Sequence, residues 1–143
     1  MKLREIDTKI LTALRRGEDA KLIAKSLKLP KSTVYYHLGK MKRAGVIRGV
    51  RVSMNFEQTG DYQSAAVLVS LTSTSVKDMK TFVGFIQKSK FVSDIYVVSG
   101  DWDYLLVISG TKKELNDFLI SSLQGTPFVK RTQSLFIIKH IEV

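Results

Sequence analysis

The first fifty positions of the chain contain three short stretches in which apolar residues recur at helical spacing. In the first two stretches these residues are Ile6, Ile10, Leu11 and Leu14, then Leu22, Ile23 and Leu27. Gly17 ends the first stretch, and Asp19 is suited to cap the start of the second. The third stretch begins at Pro30 and ends at Gly45. Three short helices with a tight connection between the last two predict a helix-turn-helix.

The third predicted helix has an apolar and a polar face when successive residues are placed about 100° apart. Val34, Leu38 and Met41 fall on the apolar face, which we expect to pack on the first two helices. The opposite face collects hydroxyl, aromatic and cationic side chains: Ser32, Thr33, Tyr36, Lys40 and Arg43. Hydroxyls near a helix N-terminus suit phosphates and base edges, and cations further along suit phosphates or guanine. This pattern predicts a DNA recognition helix.

Three further residues of the same helix lie beside these faces. Tyr35 is interpreted as a packing residue rather than a base contact. His37 is interpreted as a phosphate contact or a bystander rather than as a metal ligand, because the sequence offers no second ligand near it. Gly39 costs about 1 kcal/mol in a helix interior relative to alanine. It allows close approach either of DNA or of a neighbouring helix.

Residues 46–54, which follow the third helix, alternate in polarity around the central Gly49. This alternation predicts a two-stranded hairpin with Arg48 and Arg51 on its exposed side. A basic hairpin directly after a recognition helix is a wing that can contact the DNA backbone or minor groove. Residues 1–54 are therefore predicted to form a winged helix-turn-helix domain.

The second half of the chain alternates between strand and helix patterns. Gly60 and Asp61 mark a turn within a predicted linker, residues 55–63. The elements predicted after it are a strand at 64–72, a helix capped at Ser75, strands at 91–99 and 104–109, a helix capped at Thr111 and a strand at 129–140. The order βαββαβ over 64–143 predicts a ferredoxin-like domain, with two helices on one face of an antiparallel four-stranded sheet. The predicted fold class is therefore α+β.

The face of this sheet that carries no helix is expected to include apolar residues such as Leu68, Val97 or Leu106. An exposed apolar sheet face needs a partner. We expect two such faces to pack together in a homodimer, whose two-fold symmetry would suit a palindromic DNA site.

The charge of the chain is divided unequally. Residues 1–56 contain fourteen Lys and Arg against four Asp and Glu, which is the whole net charge of +10, whereas residues 57–143 contain nine of each. Such a field attracts polyanions, namely DNA, RNA or anionic lipid. The alternative, a device for solubility, does not require the charge to be confined to one segment. The distribution therefore favours nucleic acid.

Several classes of function receive no support from the sequence. The chain has no cysteine, which excludes disulfides, thiolate metal sites and cysteine nucleophiles. It shows no phosphate-binding loop, no histidine-based triad and no metal-ligand spacing, so we expect neither an enzyme nor a cofactor. Without an apolar run of about 18 residues or a signal-like start, a cytoplasmic protein is expected.

Two motifs resemble the Lrp/AsnC, or feast/famine, family of bacterial and archaeal regulators. The first comprises residues 6–11, which read IDTKIL, and residues 29–47, which end in KRAGVI. The second is GDWDYLL at residues 100–106, which resembles the family's G-x-x-D-Y signature in the turn between the two middle strands. The resemblance covers essentially the whole chain. It implies a transcription regulator whose dimers assemble through the C-terminal domain, often into tetramers or octamers.

The same resemblance implies that an amino acid binds between dimers, close to this turn. A glycine-containing turn offers N–H groups to a carboxylate, and Asp101 or Asp103 could hold an ammonium group. The residues implied at this effector site are Gly100, Asp101, Trp102, Asp103 and Tyr104, with Thr132 and Ser134 as hydroxyl partners. Alternatively, residues 100–104 form a plain turn with Trp102 in an assembly interface.

The chain also departs from the family pattern, and its features leave two alternative functions to compare. Tyr35 and Tyr36 stand where the family often carries arginines, and Pro30 replaces a usual serine, so a DNA sequence preference cannot be transferred. Sirohaem decarboxylases resemble the family in fold, but this chain has only two histidines, and its basic excess lies in the first half. An architectural protein that binds DNA with little specificity is the other alternative.

Overall fold

The computed structural model describes residues 1–143, which form two compact units, Met1–Ser53 and Met54–Glu142. The first unit contains helices α1 (Glu5–Arg15), α2 (Ala20–Ser26) and α3 (Lys31–Arg43). The predicted helix-turn-helix is confirmed. None of the helices in the structure is both long and apolar enough to cross a membrane.

Local chemistry at the helix ends explains why the three helices begin and end where they do. The Asp19 carboxylate accepts a 2.8 Å hydrogen bond from the Leu22 N–H and caps α2. Gly17 and Gly45 follow α1 and α3 with φ angles of 87° and 73°, a left-handed conformation that glycine adopts without steric cost. The helices enclose a core whose fully buried members are Ile10, Ile23, Val34 and Met41.

The predicted wing is wrong as a hairpin, because residues 46–54 contain no strand. Val50 and Val52 are 86% and 88% exposed, so neither of these alternating valines packs against an apolar surface. A two-stranded hairpin without a packed face is marginally stable in water. Arg48 and Arg51 are exposed in this irregular segment.

The second unit begins with a short 3₁₀ turn, Phe56–Gln58, that lies within the predicted linker. Its strands and helices are β1 (Tyr62–Leu71), α4 (Val76–Gln87), β2 (Val92–Val97), β3 (Tyr104–Thr111), α5 (Lys112–Asp117) and β4 (Val129–Phe136). A π-helical segment, Phe118–Leu123, continues α5. The sheet order is β2-β3-β1-β4, and every neighbouring pair is antiparallel, which confirms the ferredoxin-like prediction.

One face of the sheet is buried beneath α4 and α5. Its fully buried residues are Ala65, Val67, Val69, Leu106 and Ile108, with Phe82, Ile86 and Leu115 contributed by the helices. Leu106 pairs with Val67 and is completely buried, so its predicted place on the helix-free face is wrong. The prediction for Val97 is also wrong, because this residue pairs with Tyr104 on the helix side of the sheet. Val97 is nevertheless exposed, since it lies at the end of its strand.

The opposite face of the sheet carries no helix and is largely apolar. Leu68 lies there as predicted, paired with Leu105 of β3. Tyr96 of β2 pairs with the same Leu105, and Leu135 of β4 pairs with Ala66 of β1. Tyr96 and Leu135 are about half exposed, at 50% and 48%. This surface of Ala66, Leu68, Tyr96, Leu105 and Leu135 is called the open sheet face below.

Candidate DNA-binding and effector sites

Helix α3 has one face in the core and one face directed to solvent. Val34, Leu38 and Met41 are buried with residues of α1 and α2. The residues called the recognition face here are Ser32, Thr33, Tyr36, Lys40 and Arg43; the structure brings them together on the opposite side, either exposed or half-buried. The helix contains four lysines and arginines and no acidic residue. The helix therefore presents cations and hydroxyls, and none of its own side chains carries a negative charge that would neutralise those cations.

His37 does not belong to this face, and its prediction as a phosphate contact is wrong. Its ring is 7% exposed, and Nδ1 lies 2.7 Å from Oδ1 of the fully buried Asp7 on α1. A buried ring that is already bonded cannot reach a phosphate. The spacing of Val34, His37, Leu38 and Met41 is i, i+3, i+4, i+7, and this repeat could have indicated its burial.

Asp7 links the start of α1 to the inner side of α3. Its Oδ2 accepts a 2.9 Å hydrogen bond from the Arg4 backbone N–H, while Oδ1 contacts His37. These two bonds, that from Arg4 first, hold the pKa of Asp7 below its ordinary value, with smaller help from the charge of Lys40. A charged carboxylate in this position fixes α3 against α1.

The two tyrosines of α3 are both exposed, Tyr35 at 61% and Tyr36 at 58%. The interpretation of Tyr35 as a packing residue is therefore wrong, because α3 turns it away from the three-helix core. The rings of Tyr36 and His37 form an edge-to-face pair, with centroids 5.4 Å apart and planes at 85°. Since His37 is held by Asp7, this contact restricts the orientation of the Tyr36 ring.

Gly39 admits the side chain of Arg43 from the next turn of the same helix. A Cβ atom at residue 39 would lie 3.2 Å from Nη1 of Arg43, tighter than an ordinary contact. The Arg43 guanidinium therefore lies along the helix rather than extending straight away from it. The close approach at Gly39 is therefore made by a side chain of the same helix, which is neither of the two alternatives predicted from the sequence, DNA or a neighbouring helix.

The second predicted site lies in the turn between β2 and β3, residues 98–103. Gly100 has a φ of 110°, which only glycine adopts easily. Asp103 is engaged twice with β1: its N–H donates to the Val69 carbonyl at 2.9 Å, and its Oδ2 accepts from the Leu71 N–H at 2.7 Å. The Asp103 carboxylate thus already accepts the hydrogen bond of the Leu71 N–H at the end of β1.

Trp102 and Asp101 both contact Arg131, which is not among the residues predicted for this site. The Arg131 guanidinium lies 4.3 Å from the Trp102 ring centroid, and its Nη2 donates to the Asp101 carbonyl at 3.3 Å. Arg131 is on β4, and no local pattern joins it to a turn some thirty positions earlier. Its cation and the Asp101 carboxylate are the charged groups of this turn available to a ligand.

Tyr104 is a core residue, so its predicted effector contact is wrong. It is 1% exposed, and its ring packs against Phe82 with centroids 5.0 Å apart. Burial, followed by the charge of Asp103, raises the pKa of its phenol. The hydrophobic ring follows the alternation of β3, which directs residue 104 beneath α4.

Thr132 and Ser134 are half-buried on β4, where they pair with Val69 and Val67. These partners face α4 and α5, so both hydroxyls lie on the helix side of the sheet. The Gln124 amide nitrogen lies 3.5 Å from the Thr132 hydroxyl, consistent with this orientation. Arg131, which pairs with Ser70, lies on the other face. The structure therefore separates Thr132 and Ser134 from the Arg131 cation.

Comparison with known proteins gives matches along both units. A family model described as "Lrp/AsnC ligand binding domain" matches residues 64–142, and one described as "Helix-turn-helix domain" matches residues 9–50. The HTH-type transcriptional regulator AldR of Mycolicibacterium smegmatis is 28% identical over 144 aligned positions, covering 97% of this chain and 83% of that protein.

Solved structures share the fold over nearly the whole chain. A transcriptional regulator from Neisseria meningitidis, solved as a complex with L-Met, has a TM-score of 0.76 at 23% identity and covers 99% of this chain and 94% of its own. AsnC of E. coli has a TM-score of 0.71 at 22% identity, covering 98% and 95%. At these identities the likeness establishes the fold alone.

Proposed function

The chain belongs to the Lrp/AsnC family of transcription regulators, and we propose that it binds specific duplex DNA sites through α3. We further propose that it responds to an amino acid. The observation that carries the first part is the recognition face. It combines hydroxyls near the helix N-terminus with cations further along, on a helix without acidic residues. The unit to which it belongs carries all of the net positive charge.

In this proposal different residues make different kinds of DNA contact. Ser32 and Thr33 lie near the N-terminus of α3, where free backbone N–H groups favour phosphates or base edges. Lys40 and Arg43 neutralise phosphates, as do Arg48 and Arg51 from the irregular segment that follows α3. The backbone contacts supply most of the affinity and make it dependent on salt.

Fluorescence anisotropy of labelled duplex DNA over a salt series tests the proposal. Each phosphate contact contributes about −0.9 to the slope of log affinity against log salt. Lys40→Ala and Arg43→Ala should each reduce the slope by about one and weaken binding to all sequences alike. Lys88→Ala, an exposed lysine after α4, is the matched control. Absence of wild-type binding at low salt, or unchanged affinity in both α3 variants, contradicts the proposal.

We propose that two chains dimerise through the open sheet face. Its apolar side chains would be desolvated by packing against the same surface of a second copy, an isologous arrangement. Leu68→Lys should convert a dimer to a monomer in sedimentation experiments, because it places a charge in the centre of that interface. Lys80→Glu on α4 should leave the mass unchanged. An unchanged mass for Leu68→Lys contradicts the assignment.

The proposed effector is an amino acid held at the β2–β3 turn. The Arg131 guanidinium could bind its carboxylate and the Asp101 side chain its ammonium group, with Gly100 keeping the backbone open. The complex of the structurally similar Neisseria meningitidis regulator with L-Met supports this class of ligand. Calorimetric titration with each common amino acid tests it. Arg131→Ala should abolish the heat of binding and Lys130→Ala should not; binding that survives Arg131→Ala contradicts the site.

The proposal assigns regulation and no catalysis, and it places the protein in the cytoplasm with the DNA it binds. Turnover of sirohaem would overturn the non-catalytic assignment. The architectural alternative differs from the proposal in one measurable quantity, the ratio of specific to non-specific affinity. A ratio near one on selected against random duplexes would favour that alternative.

A further inference from the structure

Tyr36 lies in the middle of the exposed face of α3 rather than at one of its sides. Ser32, Tyr36, Gly39 and Arg43 follow one another at i, i+4, i+7 and i+11, and this row runs along the middle of the exposed face. A helix is about 10–12 Å across, and the major groove is about 12 Å wide. The part of the middle row that enters the groove faces base edges, whereas the flanks, and the end of the helix outside the groove, face the phosphates of the two strands.

Within this row Tyr36 is the side chain suited to an apolar contact. Ser32 is short and polar, Gly39 has no side chain, and the Arg43 guanidinium lies back over Gly39. Tyr36 is 58% exposed and presents an aromatic ring to solvent. The groove floor carries one apolar group that distinguishes a base pair, the 5-methyl group of thymine.

The Tyr36 ring is also held before any partner binds. Its edge-on contact with His37, at 5.4 Å between centroids, leads to a ring that Asp7 holds at 2.7 Å. Such support lowers the entropy lost when the side chain is immobilised in an interface. Tyr35, although equally exposed, lies about 100° further round the helix, on the flank.

We propose that Tyr36 reads a thymine in the DNA site through its 5-methyl group. This inference rests on the proposed binding of duplex DNA by α3 and specifies which base the centre of the helix selects. The hydroxyl of Tyr36 is not required for the contact, since the ring supplies the apolar surface. The half-site should therefore contain a thymine whose methyl group is needed for full affinity.

The test begins by selecting bound duplexes from a random pool with the full-length protein. Each thymine of the selected half-site is then replaced singly by deoxyuridine, which keeps base pairing and removes only the methyl group. Loss of one buried methyl contact should weaken wild-type binding about fourfold at one position. Substitutions at the remaining thymines should have little effect.

Three variants assign that loss to a residue. In Tyr36→Ala the thymine and deoxyuridine duplexes should bind equally at the sensitive position, whereas Tyr36→Phe should retain the fourfold ratio. Tyr35→Ala is the matched control and should also retain it. Both tyrosines are exposed, and circular dichroism checks that the variants fold.

The possible failures can be told apart. If the wild type binds no duplex at low salt, both the proposed function and this inference fall. If it enriches a sequence but no deoxyuridine substitution weakens binding, only the inference falls. The same holds if the ratio persists in Tyr36→Ala, or if Tyr36→Phe loses the fourfold ratio, since the latter would make the contact depend on the hydroxyl rather than on the ring.

Discussion

The recognition face of α3 and the β2–β3 turn differ in how much of their chemistry the chain already uses. On α3 the hydroxyls, both tyrosines and the cations are exposed or half-buried, and His37 is the only polar residue of the helix drawn into the core. In the turn, Asp103 bonds to β1, Tyr104 packs under α4, and Trp102 is covered by Arg131. The first therefore leaves most of its polar side chains accessible to solvent. The second is mainly structural, with a small polar group of residues left over.

This difference teaches that a family motif does not have one role along its length. Within GDWDYLL, Asp103 and Tyr104 stabilise the domain, whereas Asp101 is exposed and can meet a ligand. Substitutions of the structural residues and of the exposed residues of the motif should therefore have separable effects on stability and on ligand binding.

The largest effect is expected from Tyr104→Ala. Removing a fully buried aromatic ring should lower the free energy of unfolding of the second unit by about 3–5 kcal/mol. Urea unfolding followed by the fluorescence of Trp102, the one tryptophan of the chain, measures it. Val76→Ala, at an exposed position of the same unit, should change the same quantity by no more than about 0.5 kcal/mol. A small effect of Tyr104→Ala would mean that its ring is not part of the core.

A smaller loss, about 1–3 kcal/mol, is expected from Asp103→Ala, because the Leu71 N–H would lose its partner at the end of β1. Asp101→Ala is the matched variant in the same turn and should leave stability unchanged while weakening amino-acid binding. Equal stability of the two variants would contradict the separation of structural and binding roles within the motif.

The next effect depends on pH and concerns the inner side of α3. The pKa of Asp7 is lowered by folding, so its contribution to stability is present above its unfolded value of about 3.9 and is lost as the pH falls through the lower folded value. Amide exchange protection in α1 and α3 should therefore decline in this acid range. In Asp7→Asn the protection should be lower at neutral pH and should change less with acid. An acid response identical to wild type would exclude Asp7 as its origin.

The smallest effect is expected where Arg131 lies over Trp102. A cation–π contact at an exposed site contributes about 0.5–1 kcal/mol, so Arg131→Ala should lower stability by no more than this. Its effect on amino-acid binding should be far larger. A loss of several kcal/mol in urea unfolding would show that Arg131, like Asp103, is structural.

Much of the fold could be predicted because it depends on nearby residues. Capping by Ser75 and Thr111 marked the starts of α4 and α5, and both caps are present. Apolar spacing located the three helices of the first unit and the residues of α3 that pack inward. The grouping of Ser32, Tyr36 and Arg43 on one exposed face was predictable for the same reason, since one helix determines which of its side chains share a face.

Most of the errors involve partners that are distant in sequence. His37 was assigned to DNA because Asp7, thirty positions earlier, could not be placed beside it. The residues of β2 and β3 were assigned to the wrong sheet face because pairing register, with its irregularity between Val92 and Asp94, follows from three-dimensional packing. The alternation at residues 46–54 predicted strands, but strands require a surface to cover.

The sequence by itself therefore determined the helix-turn-helix, the βαββαβ order and the confinement of positive charge to the first unit, because periodicity, capping and composition act over a few residues. Only the tertiary structure decided that Asp7 holds His37 inside, that Arg131 covers Trp102, and that Tyr104 belongs to the core. Those outcomes depend on which chain segments meet across the fold, where burial and hydrogen bonding between distant residues outweigh local preference.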